Sequence, residues 1–168
     1  MNHRTNKLIK VLNDYKINPK MGAEVGVQFG KNAYGMLKTF PDLHLLLVDS
    51  YDPTTFFHDR HTAENARNMA LVRLFNFTDR TQWFVKTSVE AATEIPDYSL
   101  DYAFIDAGHG YDDVRADIAA WSPKIRHGGI LAGHDYTRRF RGVVKAVNEA
   151  FGGKHERKGD LWWIQMGK

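Results

Sequence analysis

At 168 residues, 43% of them hydrophobic and 26% charged, the chain has the length and composition of one soluble domain able to bury a sizeable core. A formal charge of +3 is too small to point to nucleic acid by itself, and the lack of cysteine excludes disulfides, thiolate metal sites and a cysteine nucleophile. No apolar run reaches the ~18 residues of a membrane helix, and MNHRTNKLIK has no apolar stretch of a secretory leader, so a cytoplasmic protein is expected.

Apolar residues at Leu8, Val11, Leu12 and Tyr15 have helical spacing, which predicts a first helix over Asn6–Tyr15 within an N-terminal segment, 1–20, that packs on the rest. Asn18, Pro19 and Gly22 end it. Ala23–Val27 reads as a short buried strand running into the turn GVQFG, and Lys31–Phe40 as a helix. Leu45–Val48 has no polar alternation, as expected of a parallel strand covered on both faces. Pro53–Arg60 is polar and aromatic and is expected to be a loop, and helical spacing returns from Ala66 to Leu74. Gln82–Val85 and Leu100–Ile105 are the next strands, with a helix from about Asp112 to Trp121. Ser122 to Gly129 reads as a break before a fifth strand, Ile130–Ala132; Gly142–Phe151 is helical, and KHERKGDLWWIQM closes as a hairpin turning near Lys158–Asp160. Strands alternating with helices predict an α/β domain over 1–168, doubly wound around a mostly parallel sheet with right-handed crossovers.

In such a sheet ligands collect outside the carboxyl ends of the strands. The notable polar residues fall at those ends: Glu24 with Gly26, then Asp49, Ser88, Asp106, and His134 with Asp135. Gly26 and Gly30 permit a tight turn and close approach of a ligand. The loop lacks the middle glycine of a dinucleotide fingerprint, since Gln28 stands there, and Glu24 would repel a phosphate while suiting an ammonium group. Asp49 is placed to accept both hydroxyl hydrogens of a ribose, or else to cap a turn. Together the loop and Asp49 point to a nucleoside ligand without a pyrophosphate.

The ordered set AEVGVQFG, LLLVDSYD, KTSVEA, DYAFIDAGHGYDDV and GGILAGHDY resembles class I S-adenosylmethionine-dependent methyltransferases, of the group related to bacterial sugar O-methyltransferases. The resemblance covers about Met21 to Met166. It implies a Rossmann-like seven-stranded sheet with an antiparallel last strand, and S-adenosyl-L-methionine as cofactor. Glu24, Gly26, Val27 and Gly30 would line its methionine end; Asp49, Ser50 and Tyr51 its ribose; Thr87, Ser88 and Val89 its adenine. Asp106, beside the cofactor, would act in catalysis with His109 as general base, an imidazole titrating at about 6.5 when unperturbed. Asp106, His134 and Asp135 would hold a divalent cation, magnesium or manganese, the imidazole favouring the latter. Relatives of this kind often read D-x-D-H where this chain has Asp106-Ala107-Gly108-His109, so one carboxylate is missing.

Several residues carry two readings. His109 either takes a proton or caps the following helix, and His134 either binds a metal or orients Asp135. Asp112, Asp113 and Asp117 are expected to be charges favoured by the dipole at a helix N-terminus. Tyr51, Phe56, Phe57 and His58 form either a lid or an aromatic patch. The basic residues of the last third, Arg138, Arg139, Arg141, Lys145, Lys154, Arg157 and Lys158, form either a solvated rim or a lip attracting an anionic substrate. The implied function is O-methylation of a small hydroxylated acceptor such as a sugar. A degenerate cofactor-binding protein is the alternative, and a nicotinamide oxidoreductase or epimerase is disfavoured by the missing glycine. DAGH replaces the Asp/Asn-Pro-Pro-aromatic loop of many DNA amino-methylating enzymes, which argues against nucleic acid. Nothing in the chain adds an acceptor-binding domain, so the acceptor would meet the first helix, the Tyr51–His61 loop or another subunit of a homo-oligomer.

Overall fold

The computed structural model describes residues 3–54 and 60–167; Phe56, Phe57 and His58 lie outside them. Its seven strands are β1 (Met21–Val25), β2 (His44–Val48), β3 (Thr81–Phe84), β4 (Leu100–Ile105), β5 (Ile125–Gly133), β6 (Glu156–Lys158) and β7 (Leu161–Gln165). They form one sheet in the order β3-β2-β1-β4-β5-β7-β6. The first five are parallel, β7 runs antiparallel to β5, and β6 pairs antiparallel with β7. Because β1 pairs with both β2 and β4, the chain reverses its direction of travel across the sheet between them, and a crevice opens above their carboxyl ends.

Side chains alternate strictly along each strand, so every buried strand feeds two cores. Leu45, Leu47, Tyr102 and Phe104 meet α1 (His3–Asp14), α2 (Lys31–Thr39) and α3 (Arg60–Leu74) on one face. Leu46, Val48, Ala103 and Ile105 meet α4 (Ser88–Thr93), α5 (Tyr111–Trp121) and α6 (Arg141–Phe151) on the other. The apolar runs without alternation in β2 and β4 are the record of this double coverage. No helix among the described residues is long and apolar enough to cross a membrane.

Three expectations need correction. β5 begins at Ile125 rather than Ile130: it runs through His127–Gly129 by way of an irregularity, Leu100 pairing with Ile125 and Tyr102 already with Ile130. Gly128 takes positive φ there, and its N–H bonds to the Met166 carbonyl at 2.7 Å. The short helix α4 was not expected, although Thr87 and Glu90 form a complete capping box at its start. Asp117 is no helix-terminal charge. It lies in the second turn of α5, 4% exposed, on the sheet-facing side.

Candidate active site

A cavity of about 1010 Å³ lies above the carboxyl ends of β1, β2, β4 and β5. Glu24, Gly26, Val27, Asp49, Ser50 and Tyr51 line it, as do Thr87, Ser88, Val89, Asp106, His109, His134 and Asp135. Gly30 alone among the expected residues does not. It turns toward α3, where a side chain at this position would meet Ala70 and Leu74. Gly26 is held by a true close approach: at φ 93°, a Cβ there would fall 2.2 Å from the Asp106 carbonyl oxygen.

Asp49 ties the first two loops together. One carboxylate oxygen accepts the N–H groups of Val27 (2.9 Å) and Gln28 (2.8 Å), and the other accepts that of Tyr51 (2.9 Å). Tyr51 returns the link by donating its hydroxyl to the Gln28 carbonyl at 2.9 Å. An ionised carboxylate has about four lone-pair sites, so this role leaves room for a ligand hydroxyl. The turn-capping reading of Asp49 is therefore realised, and about one lone-pair site remains, enough for a single ribose hydroxyl rather than both.

Glu24 points to the α1–α2 face and is 2% exposed. Asn32 Nδ2 donates to it at 3.0 Å, and Asn32 Oδ1 accepts from the Thr5 hydroxyl at 2.9 Å. This relay joins α1, α2 and β1 through buried polar groups. Burial pushes the Glu24 carboxyl up to about 8, against the lowering effects of Asn32 and the Arg4 guanidinium. At neutral pH the shift favours the uncharged acid in the cavity wall.

The ends of β4 and β5 carry a different cluster. Asp106, His134 and Asp135 present ligand atoms within 4.8 Å of one another. His109 Nε2 lies 2.7 Å from Asp135 Oδ2, and the His109 ring stacks on Phe140 with centroids 4.4 Å apart. His134 Nε2 is 3.2 Å from Asp160 Oδ2. Its Nδ1 lies 3.1 Å from Asp135 Oδ1 and 3.7 Å from Asp106 Oδ1, yet is aligned with neither well enough to hydrogen-bond and stays buried and unpartnered. Burial alone would raise the Asp135 carboxyl; the contacts with His109 and His134 outweigh it and hold the group well below the usual carboxylate range. Asp135 also takes positive φ, at 60°, a conformation Asp tolerates and one often found at functional positions.

Three participants escaped the sequence. Arg4 pairs with Asp106 from α1. Asp160, in the turn between β6 and β7, meets His134 and is itself paired with Lys7 Nζ at 2.6 Å. Asp113 packs against Gly108, where a Cβ would come within 2.9 Å of its side chain, so a carboxylate at 108 would require Asp113 to move aside. None of the basic residues of the last third lines the cavity. Arg139, Lys145 and Arg157 lie over the rings of Phe140, Tyr111 and Tyr136, which fits the rim reading.

Known proteins share this architecture. The structure superposes on an O-methyltransferase from Bacillus cereus in complex with S-adenosylhomocysteine, with a TM-score of 0.73 at 13% identity over 98% of this chain and 81% of that one. It superposes on CalS11, a TDP-rhamnose 3′-O-methyltransferase of calicheamicin biosynthesis, with a TM-score of 0.68 at 15% identity over 99% of this chain and 82% of that one. At such identities the likeness establishes the fold. In sequence, 57 residues are 39% identical to the uncharacterized protein y4gI of Sinorhizobium fredii, a stretch covering 34% of this chain and 6% of that relative's length. A family profile described as a methyltransferase domain matches residues 23–136, the span that carries every strand end lining the cavity except the β6–β7 turn. The chain therefore belongs to this methyltransferase domain family, as a class I S-adenosylmethionine-dependent member.

Proposed function

We propose that the chain methylates a hydroxyl oxygen of a small acceptor, with a sugar as the first class to try. The observation that carries this reading is the presence of two dissimilar clusters in one cavity: Glu24, Asp49 and Thr87–Val89 along one part of its wall, and Asp106, His109 and Asp135 along another, with His109 Nε2 2.7 Å from Asp135. The cofactor would supply an electrophilic methyl group on a sulfonium. Glu24 would hold its ammonium, Asp49 its ribose, and Ser88 and Val89 would flank its base.

His109 takes the acceptor proton. Its Nε2 faces Asp135, which fixes the Nε2–H tautomer and puts the basic lone pair on Nδ1. The ionised Asp135 also stabilises the imidazolium that results. With the cofactor bound, its sulfonium would supply the methyl group and take back the carbon–sulfur electron pair, while His109 would hold the proton given up by the acceptor. Methyl transfer is an in-line displacement, so holding the two partners in line supplies much of the rate.

Asp106, His134 and Asp135 suit a divalent cation, because His134 Nδ1 is a buried nitrogen without a partner, facing two carboxylates. These three side chains would hold the ion, which would lower the pKa of the acceptor hydroxyl. The activity of CalS11 on TDP-rhamnose supports trying sugars and sugar nucleotides first. One observation favours a second reading, a cofactor-binding protein without transfer: the Arg4 guanidinium already neutralises Asp106.

Calorimetric titration with S-adenosylhomocysteine, with and without magnesium or manganese, on wild type and Asp49→Ala, tests the first half. Micromolar binding weakened by Asp49→Ala supports the pocket, and no binding under any condition sinks it. Methyl transfer to a sugar panel then separates the enzyme from the binding-only reading.

A further inference from the structure

Helix α3 carries apolar side chains on both of its sides. Ala63, Ala66, Ala70 and Leu74 are buried on the inner side. Val72 stands about half a turn from Ala70 and Leu74 and is 78% exposed. Phe75 opens the 3-10 helix Phe75–Arg80 that continues α3, and it is 72% exposed. Met69 and Leu71 are exposed beside Val72. A helix that is apolar all round belongs in an interior, and one chain covers only the inner side of this one. Contiguous exposed apolar surface of this kind marks interaction sites.

The two arginines that follow Val72 are both turned away from this face. Arg73 donates to the Phe29 carbonyl, and Arg80 to the carbonyls of Phe40 and Leu43 at 3.1 and 3.2 Å. One turn to either side of Val72 the polar side chains are amides, Asn68 and Asn76, both exposed. Depletion of charge together with Met and aromatic side chains is the composition of an interface core.

The order of these residues is symmetric about Val72. On a two-fold axis a surface must complement itself, and a charged side chain at the axis would meet its own like. If two copies of α3 lie antiparallel across an axis beside Val72, each residue before it faces the residue equally far after it. Val72 then meets Val72, Met69 meets Phe75, and Asn68 meets Asn76. The thioether–ring contact is favourable, and an amide both donates and accepts, so it can pair with another amide. We propose that α3 and its continuation through Asn76 pair in this way with the same segment of a second copy, making the protein a homodimer. The inner side of the paired helix touches Gly30 through Ala70 and Leu74, so the interface lies directly behind the turn that begins at Gly26.

The test is analytical ultracentrifugation of the full chain up to about 100 μM, since dimer mass depends on protomer concentration. Wild type should sediment at twice the 19.2 kDa of one chain. Val72→Glu places two carboxylates face to face and should weaken the dimer by about 100-fold or more, with the far-UV circular dichroism of the fold unchanged. The chain has no cysteine, so a single introduced thiol reports contact between copies without background. Val72→Cys should cross-link into disulfide dimers on mild oxidation, because Cα atoms at such an axis fall within the bridging range of about 4.4–6.8 Å. Tyr98→Cys, exposed beside His127, should not. A monomeric wild type at the highest concentration overturns the proposal and leaves the face to a partner of another kind. A dimer that survives Val72→Glu, or that cross-links no faster at 72 than at 98, overturns it by placing the contact elsewhere.

Discussion

One cavity holds two kinds of carboxyl. Glu24 and Asp117 are almost sealed from water, each with one side-chain hydrogen-bond donor, and are pushed up to about 8 and about 6. Asp135, half-buried between two imidazoles, is driven the other way, and Asp106 has a guanidinium against it. The chemistry of the side chains is the same; what differs is how far opposing groups offset burial. For Glu24 and Asp117 burial prevails, over Asn32 and the Arg4 guanidinium at the first and over the Ser88 hydroxyl at the second. For Asp135 the two imidazoles prevail, so in the proposed reaction this end would polarise a neutral hydroxyl while the other would draw further opposing charge from the ligand.

The comparison breaks most sharply at the charged end. His109→Ala should lower kcat by about 10²–10⁴ while leaving S-adenosylhomocysteine affinity within about threefold of wild type. Loss of both together, measured by turnover and calorimetry on one preparation, would remove the division between the two ends. Next in size is Glu24→Gln, which should weaken S-adenosylhomocysteine by about 10–100-fold, the scale of a hydrogen bond to a charged group. Wild-type binding at pH 7 should also release up to about one proton, read from the buffer dependence of the binding heat, and Glu24→Gln should release fewer.

The same substitution sharpens the contrast in stability. Glu24 keeps its proton in the fold up to about 8, while the unfolded chain gives it up near the ordinary 4.5. The unfolded state therefore binds fewer protons between these values, and stability falls as pH rises through that window. Glu24→Gln should raise the melting temperature at pH 8 by about 5–10 °C and change it little at pH 4. The smallest effect concerns Arg4. Arg4→Gln should tighten manganese binding in the absence of cofactor by about three- to tenfold, followed by electron paramagnetic resonance, because guanidinium and cation would compete for Asp106. An unchanged affinity would show that they use different oxygens.

Much of the scaffold was legible because parallel strands buried on both faces leave apolar runs, and the strand ends named the cavity wall in order. What escaped was contact between distant segments. Arg4 reaches Asp106 across 102 positions, and Lys7 reaches Asp160 across 153. No local pattern encodes such pairs. Asp117 was misjudged for a different reason: in YDDVRAD the acids look like one N-terminal group, and only the helical phase puts Asp117 beside buried Val114, Ile118 and Trp121. The start of α4, by contrast, is encoded locally, in the capping box of Thr87-Ser88-Val89-Glu90. The absence of a carboxylate at Gly108 is plain in the sequence, whereas the Asp113 side chain that packs into the space beside it is not.

The Thr5–Asn32–Glu24 relay has a practical consequence for anyone trimming this protein. Removing the first few residues to obtain a tidier terminus would strip Asn32 of a buried partner and take Arg4 away from both Glu24 and Asp106. The shortened chain could keep its sheet and still be a different receptor, so protease sensitivity near the amino terminus doubles as a gauge of whether the ligand-binding surface is intact.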